Sequence, residues 1–407
     1  MLTLLSNIKS LLQIRTIEET RVLGLDMKFL PQIENAYLIL EDGKIHSYGS
    51  MSELPMLQIN ETIDASGRMV LPTWIDAHTH LVFAASREQE FVDRINGLSY
   101  AEIAAKGGGI LNSAAKLATA TEEELYVQAA RRLDQLILLG TGAIEIKSGY
   151  GLSVESELKM LRVIQKLKED YPHIPIKSSF LAAHAFPLIY RENHQAYIDI
   201  IINEMLPLVA AEELADYMDV FCEEGFFSVA ETEQLLEAGW KYGLKPKIHA
   251  NQLHRSGGVQ VGVKHKAVSV DHLESMGEEE IASLRGSNTI PTLLPGAAFF
   301  LGMHYQPARL LIEANLPVCL ASDYNPGTCP SGNMNTLLTI ACTQLKMTPE
   351  EAINAQTINA AAAMELESVM GSITVGKKAS LILTKPIPSV AYLPYAFGEN
   401  LIERVII

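Results

Sequence analysis

The sequence predicts an α/β protein, a (β/α)8 TIM-like barrel with a small β-sandwich domain formed from the N- and C-terminal segments. The first observation is that short apolar, β-branched stretches alternate with amphipathic helical patterns through the middle of the chain. The second is that eight such stretches fit into roughly 260 residues, the size of a (β/α)8 barrel. The third is that both ends of the chain are rich in strand-like segments. We therefore expect a small domain made from residues 1–65 and 364–407, and a barrel over residues 66–363.

The helices between the predicted barrel strands carry recognisable start signals. Three of them begin with a Ser or Thr followed three residues later by Glu, the pattern of a capping box, at Thr121, Ser228 and Thr348. An open, doubly wound sheet is the structural alternative, but no G-x-G-x-x-G follows an early strand. The eight predicted strands end near the following residues: His80, Ser148, His184, Glu223, His249, His272, Leu294 and Asp323.

The segments outside the barrel resemble edge and hairpin strands. Residues 36–40 and 44–48 flank Asp42-Gly43, and this pattern predicts a β-hairpin with a tight turn. Near the C-terminus, residues 372–375, 379–383 and 404–407 are strand-like and are separated by Gly, Lys and Pro. We expect these strands to complete the small domain.

Composition excludes several classes of partner. The formal net charge is −16, and Lys and Arg form no dense run, so nucleic acid is not an expected partner. No apolar run approaches the length of a membrane span, and the N-terminus has no secretory core, so we expect no membrane partner. The four cysteines form no CxxC pair, which is typical of free thiols in a reducing compartment. These features predict a cytoplasmic protein.

Ionisable residues cluster at the C-terminal ends of the predicted strands. In a (β/α)8 barrel these ends converge on one face, where the catalytic residues lie. Scattered positions would be expected if these residues had only structural roles. Six strand ends contribute such residues: Asp76, His78 and His80; Glu145 and Lys147; His184; His249; Asp271 and His272; and Asp323.

Three imidazoles and one carboxylate among these residues form a plausible metal site. His78 and His80 are two residues apart on a strand, so their side chains point the same way. A lone HxH is a weak signal of a metal site, and His249 alone would more often be an ordinary histidine. Asp323, however, ends an apolar strand, where burying an unpaired carboxylate would cost free energy. Such a set suits Zn²⁺ or Fe²⁺ and leaves a coordination position for water.

His272 has two possible roles, as a further ligand or as a nearby proton carrier. We favour the second, because a neutral imidazole handles protons well near neutral pH. Glu274 could orient it, although a carboxylate exposed at a helix start is an equally good interpretation of Glu274.

Together these motifs resemble the imidazolonepropionase family of the amidohydrolase superfamily. The HxH on the first strand, His on the fifth and sixth strands and Asp on the eighth follow the mononuclear pattern of that superfamily. The resemblance runs from about Asp64 to Asn359. The segments that carry it are 76–88, 145–152, 182–185, 220–225, 293–297 and 322–328.

The resemblance implies a function and a set of roles. The family opens the ring of 4-imidazolone-5-propanoate to N-formimidoyl-L-glutamate in histidine degradation, with one Zn²⁺ or Fe ion per chain, and its members are homodimers. The implied metal ligands are His78, His80, His249 and Asp323. The implied catalytic residues are His272, Asp323 and Gln252, and the implied substrate-binding residues are Arg87, Tyr150, His184, Gln252, Asn325, Gly327 and Thr328.

General chemistry fits these implied roles. A bidentate Arg87 suits a carboxylate better than Lys would, and it would oppose the acidic field of the whole chain for an anionic substrate. The turn Asn325–Thr328 would offer backbone N–H donors to an anion. The family commonly has an acidic residue where this chain has Asn251, which alters one group near the metal site.

Three other functions are compatible with parts of this pattern. A deaminase of the same superfamily would share the metal ligands, but Arg87 and the 325–328 turn favour a carboxylated substrate. A binuclear amidohydrolase would need a bridging Lys at the fourth strand end, where residues 221–225 contain none. A non-catalytic ligand-binding barrel would not require the full ligand set together with His272.

Overall fold

The structure is a computed structural model, which describes residues 1–98, 102 and 108–407. The strands in this part of the chain are β1 Leu2–Leu12, β2 Gln32–Glu41, β3 Lys44–Ser50, β4 Glu61–Asp64, β5 Met69–Pro72, β6 Trp74–Asp76, β7 Thr141–Lys147, β8 Ile176–Ala183, β9 Tyr217–Cys222, β10 Lys245–Ala250, β11 Ser269–His272, β12 Ile290–Leu293, β13 Cys319–Leu320, β14 Leu381–Thr384 and β15 Ile402–Ile406.

Helices fill most connections between the strands. The described α-helices are Glu88–Ile95, Ile110–Thr119, Glu122–Leu138, Val154–Asp170, His194–Ile200, Leu206–Ala211, Val229–Lys241, Gly258–Lys264, Glu278–Leu284, Pro295–Leu301, Ala308–Glu313, Met334–Thr343, Pro349–Gln356, Ile358–Ala363 and Tyr392–Tyr395. Short 3-10 turns occupy Gly24–Lys28, Met51–Glu53 and Leu188–Tyr190, and a π-helical turn occupies Ile201–Met205. None of the helices in the described ranges has the length and hydropathy needed to cross a bilayer.

The eight parallel strands β6 to β13 form the predicted barrel. They pair in chain order from β6 to β13. The first and eighth strands meet just beyond their ends, where Thr79 and Tyr324 form a parallel bridge. There the His80 N–H donates to the Tyr324 carbonyl at 2.8 Å, and the Asp323 N–H donates to the His78 carbonyl at 3.0 Å. The barrel prediction is therefore confirmed, and its closing seam lies at two of the predicted ligand segments.

The predicted capping boxes are present. Thr121, Ser228 and Thr348 each accept a hydrogen bond from the backbone N–H three residues later, and the Glu at that position bonds back to the cap. Pro349 occupies the first position of its helix, where no hydrogen-bond donor is needed. These local signals start the helices where the sequence places them.

Both ends of the chain contribute to a single seven-stranded sheet. Its strand order is β15-β14-β5-β1-β2-β3, with β4 also paired to β1. The sandwich of the sequence analysis is thus one continuous hydrogen-bonded sheet. Strand β5, Met69–Pro72, belongs to it, so the N-terminal contribution extends past the expected boundary at residue 65. The predicted β2–β3 hairpin turns at Asp42 and Gly43, with φ of 49° and 77°.

Strand β1 lies at the centre of this sheet, although the sequence analysis did not predict it. Leu5, Ile8 and Leu11 are buried in the same hydrophobic cluster. They are three residues apart, whereas the inward-facing residues of a regular strand are two apart. A register shift between Leu5 and Ile8, with Asn7 at φ 55°, adds the extra residue. The bulge hides the alternation that would mark a strand. The predicted strand 372–375 forms only an isolated bridge, between Ile373 and Ile14.

The sheet packs against the N-terminal end of the barrel at two glycines. A Cβ on Gly142 would lie 2.0 Å from Thr73 Oγ1 and 2.5 Å from Ser380 Oγ, which hydrogen-bond to each other at 2.7 Å. A Cβ on Gly140 would contact the side chain of Trp74 and side chains of the two C-terminal strands, β14 and β15. This tight junction joins the sheet to the end of the barrel opposite the predicted site.

Candidate active site

The predicted metal ligands come together at the C-terminal face of the barrel. Ligand-type atoms of His78, His80 and His249 all lie within 4.8 Å of one another, and so do those of His78, His272 and Asp323. All of these side chains are buried. We refer to His78, His80, His249 and Asp323 as the His/Asp cluster. Its four members come from three strands that are far apart in the sequence, as predicted.

Three of the six ligand–ligand distances in the cluster match those around a tetrahedral ion. His80 Nε2 lies 3.4 Å from His249 Nε2, and Asp323 Oδ1 lies 3.6 Å from the Nε2 atoms of both His78 and His80. Two atoms that each lie about 2.1 Å from a tetrahedral Zn²⁺ are roughly 3.4 Å apart. Buried Nε2 of His78 has no hydrogen-bond partner among the described residues. The cluster therefore presents converging lone pairs, which a cation would satisfy.

Two of the imidazoles are held by carboxylates on the opposite side of the ring. His78 Nδ1 lies 2.7 Å from Asp271 Oδ2, and His249 Nδ1 lies 3.1 Å from Asp219 Oδ1. A carboxylate accepts, so both imidazoles carry their proton on Nδ1 and leave Nε2 free. The sequence analysis did not single out Asp219. It is a lone carboxylate within the apolar strand β9, with its side chain directed to the same face as Phe221.

Beneath the His/Asp cluster lies a buried ionic layer, made of Glu145, Lys147, Asp219, Lys247 and Asp271. None of the five side chains is exposed. Lys147 Nζ lies 2.5 Å from Glu145 Oε1, 2.7 Å from Asp219 Oδ2 and 3.7 Å from Asp271 Oδ2, while Lys247 pairs with the other oxygen of Glu145. Burial disfavours the ammonium, but the carboxylates of Asp219, Glu145 and Asp271 outweigh it and raise the pKa of Lys147.

Burial favours the neutral form of four imidazoles in the site, those of His78, His80, His184 and His249. Burial lowers the pKa of His78 and His80 well below its ordinary value, that of His184 to about 3 and that of His249 to about 4. Burial also raises the pKa of Asp323 to about 6. Neutral imidazole is the form that binds metal ions.

Three members of the His/Asp cluster, His80, His249 and Asp323, line a cavity of about 430 Å³. The predicted substrate residues that line it are Arg87, Tyr150, His184, Gln252, Asn325 and Thr328, together with His80, His249, His272 and Asp323. Apolar side chains of Phe221, Phe226, Leu301 and Met303 complete the wall. A volume of this size suits a small heterocycle with a short side chain.

The side chain of Arg87 lies against Gly327, where the lack of a side chain leaves room for the guanidinium beside the cavity. Its Nε and Nη2 donate to Glu90 Oε2 at 2.9 and 2.7 Å, and a Cβ on Gly327 would lie only 2.2 Å from Nη1. Gly327 does not itself line the cavity; it leaves room for the guanidinium. Arg94, which the sequence analysis missed, also lines the cavity and donates to the Gly327 carbonyl at 2.9 Å. The sequence signal for Arg94 was its position one helical turn after Glu90, which places both side chains on the same face of the helix.

Tyr150 lies on a loop that wraps around a buried carboxylate. Glu157 accepts the backbone N–H groups of Gly149, Gly151 and Leu152 at 3.1, 2.7 and 3.0 Å. The same loop holds His184, whose Nδ1 lies 3.1 Å from the Gly149 carbonyl. Glu157 therefore fixes the position of two predicted substrate residues without touching the cavity.

The loop that carries Gln252 is held in a similar way. Glu223, at the end of β9, accepts the N–H groups of Leu253 and His254 at 2.9 and 3.3 Å. The side chain of Asn251 donates to the Ser275 carbonyl at 2.9 Å. Asn251 thus ties two loops together and makes no contact with the His/Asp cluster.

The turn Asn325–Thr328 differs from its expected role. Asn325 Oδ1 accepts the backbone N–H groups of Gly327 and Thr328 at 2.8 and 2.7 Å, so these donors are not directed at an anion. Thr328 Oγ1 instead donates to Asp323 Oδ2 at 3.2 Å, and Asn325 Nδ2 donates to the Asp323 carbonyl at 2.7 Å. The turn orients Asp323, because the Asn side chain competes successfully for the backbone donors.

His272 stands beside Asp323 with a partner at ion-pair distance. Its Nδ1 lies 3.7 Å from Glu274 Oε1, too long for a hydrogen bond, and Glu274 accepts from Gln306 at 2.9 Å. Burial lowers the pKa of His272, but the carboxylates of Glu274 and Asp323 outweigh it and raise that pKa above its ordinary value. Glu274 is buried, so the exposed helix-start interpretation is wrong.

The chain is similar to proteins of known family over its whole length. The profile described as "Amidohydrolase family" matches residues 69–400. An imidazolonepropionase from Flavobacterium johnsoniae is 58% identical over 407 residues, covering 100% of this chain and 99% of the relative. One from Christiangramia forsetii is 56% identical with the same coverage.

Solved structures share the fold at low sequence identity. A mutant of atrazine chlorohydrolase from Arthrobacter aurescens, complexed with zinc and atraton, superposes with a TM-score of 0.72 at 13% identity, covering 99% of this chain and 93% of the other. At this identity the likeness concerns the architecture alone. The family match and the identities of 56–58% over the full length show that the chain belongs to the imidazolonepropionase family of amidohydrolases.

Proposed function

We propose that this protein hydrolyses the cyclic amide bond of 4-imidazolone-5-propanoate to give N-formimidoyl-L-glutamate, a step of L-histidine degradation. The observation that carries the proposal is that the His/Asp cluster converges and that three of its members line one cavity together with Arg87. The reaction needs both parts, a site that activates a lactam and a cation for the propionate. The names of the relatives support the same substrate.

His78, His80, His249 and Asp323 would hold one Zn²⁺ or Fe ion per chain. When bound, such an ion supplies Lewis-acid chemistry, lowering the pKa of bound water toward about 7 and polarising a carbonyl. The chain's own contribution is the arrangement of the ligands. Three neutral imidazoles and one carboxylate converge, with neighbouring ligand atoms 3.4–3.6 Å apart in three pairs. Carboxylates on the far side of the ring orient two of the imidazoles.

Arg87 would bind the propionate, because a planar guanidinium matches a carboxylate with two parallel hydrogen bonds. Glu90 holds the guanidinium in place, and Arg94 adds a second positive charge beside it. Tyr150 and His184 would contact the substrate, and Gln252 would face the imidazolone ring. The apolar wall would exclude competing water from the ring.

Two residues would handle the protons. In the hydrolysis, the oxygen of water joins the carbonyl carbon, the ring C–N bond breaks, and the released nitrogen gains a proton. Asp323 and His272 border the cavity side by side and would accept the proton from water and return it to that nitrogen. Thr328 and Asn325 would contribute by fixing Asp323, and Gly327 by making room for Arg87.

The direct test is turnover with purified protein. Loss of imidazolone absorbance together with the appearance of N-formimidoyl-L-glutamate by mass spectrometry is the expected result. Cytosine and adenosine, assayed for ammonia release, serve as substrates for a deaminase of the same superfamily. Ammonia release from either ring without opening of the imidazolone would replace the proposed activity with a deaminase.

We also propose that the protein works as a homodimer in the cytoplasm. The four described cysteines are free thiols, which agrees with a reducing compartment. Light scattering of the purified protein would show a mass of twice 44.7 kDa if the dimer is correct.

A further inference from the structure

Lys147 occupies a position between the two carboxylates that hold metal-ligand imidazoles. Its ammonium lies 2.7 Å from Asp219 and 3.7 Å from Asp271, with no exposure to solvent. Asp219 is hydrogen-bonded to His249, and Asp271 is hydrogen-bonded to His78. One cation therefore links the hydrogen-bond partners of two different ligands, which come from different strands.

The arrangement follows from the layered interior of the barrel. Lys147, Asp219 and Asp271 stand on the second, fourth and sixth strands of the barrel sheet. In such barrels, side chains from alternate strands fill one interior layer. The ammonium can therefore reach both carboxylates from a single strand, directly below the His/Asp cluster.

Without this cation the two carboxylates would lose their common anchor. Lys247 would then be the one remaining ammonium of the layer. It pairs with Glu145 and attracts Asp271 at longer range, but it forms no ion pair within 4.0 Å with either aspartate. Like charges in a poorly screened interior repel strongly, so Asp219 and Asp271 would move apart. Each imidazole would then lose the acceptor that keeps its proton on Nδ1.

We propose that Lys147 is a positioning residue for the metal centre, fixing Asp219 and Asp271 so that His249 and His78 keep Nδ1 protonated and direct Nε2 at the ion. The proposal rests on the metal centre of the proposed function. It concerns two of the three imidazoles, because buried Nδ1 of His80 has no hydrogen-bond partner among the described residues.

The test compares Lys147→Met with a matched control. Lys377→Met removes another buried ammonium, whose hydrogen bond goes to Ser372 Oγ in the small sheet domain. Two quantities are measured on the full chain. The first is the Kd for Zn²⁺, by competition with a chromophoric chelator. The second is the tautomer of each histidine in the metal-free protein labelled with ¹⁵N-histidine, by long-range ¹H–¹⁵N NMR.

Lys147→Met is expected to weaken zinc binding about 10- to 100-fold, the usual effect of removing a group that orients a metal ligand. It should also convert two histidines from the Nδ1–H tautomer to a mixture, whereas Lys377→Met should change neither quantity. If Lys147→Met does not fold, the double variant Lys147→Met with Asp271→Asn keeps the net charge of the buried ionic layer and an acceptor for His78. Compared with Asp271→Asn alone, this double variant is expected to bind zinc more weakly and to lose the fixed tautomer at His249, because Lys147 alone among the described lysines pairs with the carboxylate that holds His249.

Unchanged zinc affinity in the Lys147 variant would overturn the proposal. So would a loss of affinity with all tautomers retained, because the effect would then be one of charge rather than of position. If the unaltered protein binds no zinc, the proposed metal centre fails, and the tautomer spectra of the metal-free proteins still decide whether Lys147 positions the imidazoles.

Discussion

Replacing Gly327 by alanine is expected to weaken substrate binding by displacing Arg87. A Cβ at this position would lie 2.2 Å from Arg87 Nη1 and 2.5 Å from Cζ. An ordinary contact is about 3.5 Å, so the guanidinium must move by roughly 1 Å. Because the displaced atoms are at the far end of a flexible side chain, the fold should keep its stability.

The expected size of the effect comes from the contact that is lost. A hydrogen bond to a charged group contributes about 1.5–3 kcal/mol. Since about 1.4 kcal/mol is a factor of ten, KM should rise about 10- to 100-fold. The value of kcat should change little, because Arg87 would hold a part of the substrate that does not react. Steady-state rates of imidazolone loss, with melting temperature as a check on folding, measure both constants.

A double-mutant cycle decides whether the effect passes through Arg87. Arg87→Ala alone should also mainly raise KM. If Gly327→Ala acts by moving Arg87, adding it to Arg87→Ala should cause no further loss. Wild-type kinetics in Gly327→Ala, or fully additive losses in the double variant, would refute this reasoning.

Three further changes test other parts of the structure. Asp323→Asn should reduce kcat by more than about 100-fold while the melting temperature shows an intact fold, and unchanged kinetics would remove Asp323 from the mechanism. Gly142→Ala should lower the free energy of unfolding in urea by about 1–3 kcal/mol with KM unchanged, because the added methyl overlaps Thr73 and Ser380 at the domain junction; equal stability would show that the junction can relax. Dialysis against a chelator should abolish activity, and titrating back Zn²⁺ or Fe²⁺ under anaerobic conditions should restore it with the native ion; activity that survives complete metal removal, checked by mass spectrometry, would contradict the metal centre.

The barrel could be predicted because its local signals agree with one another. Apolar strands, capping boxes such as Thr121 with Glu124 and polar residues at strand ends all indicate the same architecture. The convergence of the His/Asp cluster could be predicted because each of its residues lies at or just beyond the C-terminal end of a barrel strand. Strand β1 escaped prediction because the bulge at Asn7 breaks its alternation. Its pairing with β2, β4 and β5 in the folded chain reveals it.

The supporting side chains were harder to predict than the ligands. Asp219 looks like one carboxylate in an apolar strand until the fold places it 3.1 Å from His249. The side chain of Asn325 accepts the two backbone N–H groups that we expected to bind an anionic ligand. That outcome depends on a rotamer and on neighbouring atoms, which a sequence pattern does not specify.

The seam of the barrel has a consequence for the order of assembly. The hydrogen bonds that join the first strand to the eighth involve the backbone of His78, His80 and Asp323 themselves. A nascent chain that has not yet docked its last barrel strand lacks both the aspartate and the backbone clamp on the two histidines. The proposed centre would therefore bind its ion late in folding, after the barrel has closed. A chain truncated before the last barrel strand would bind metal ions weakly.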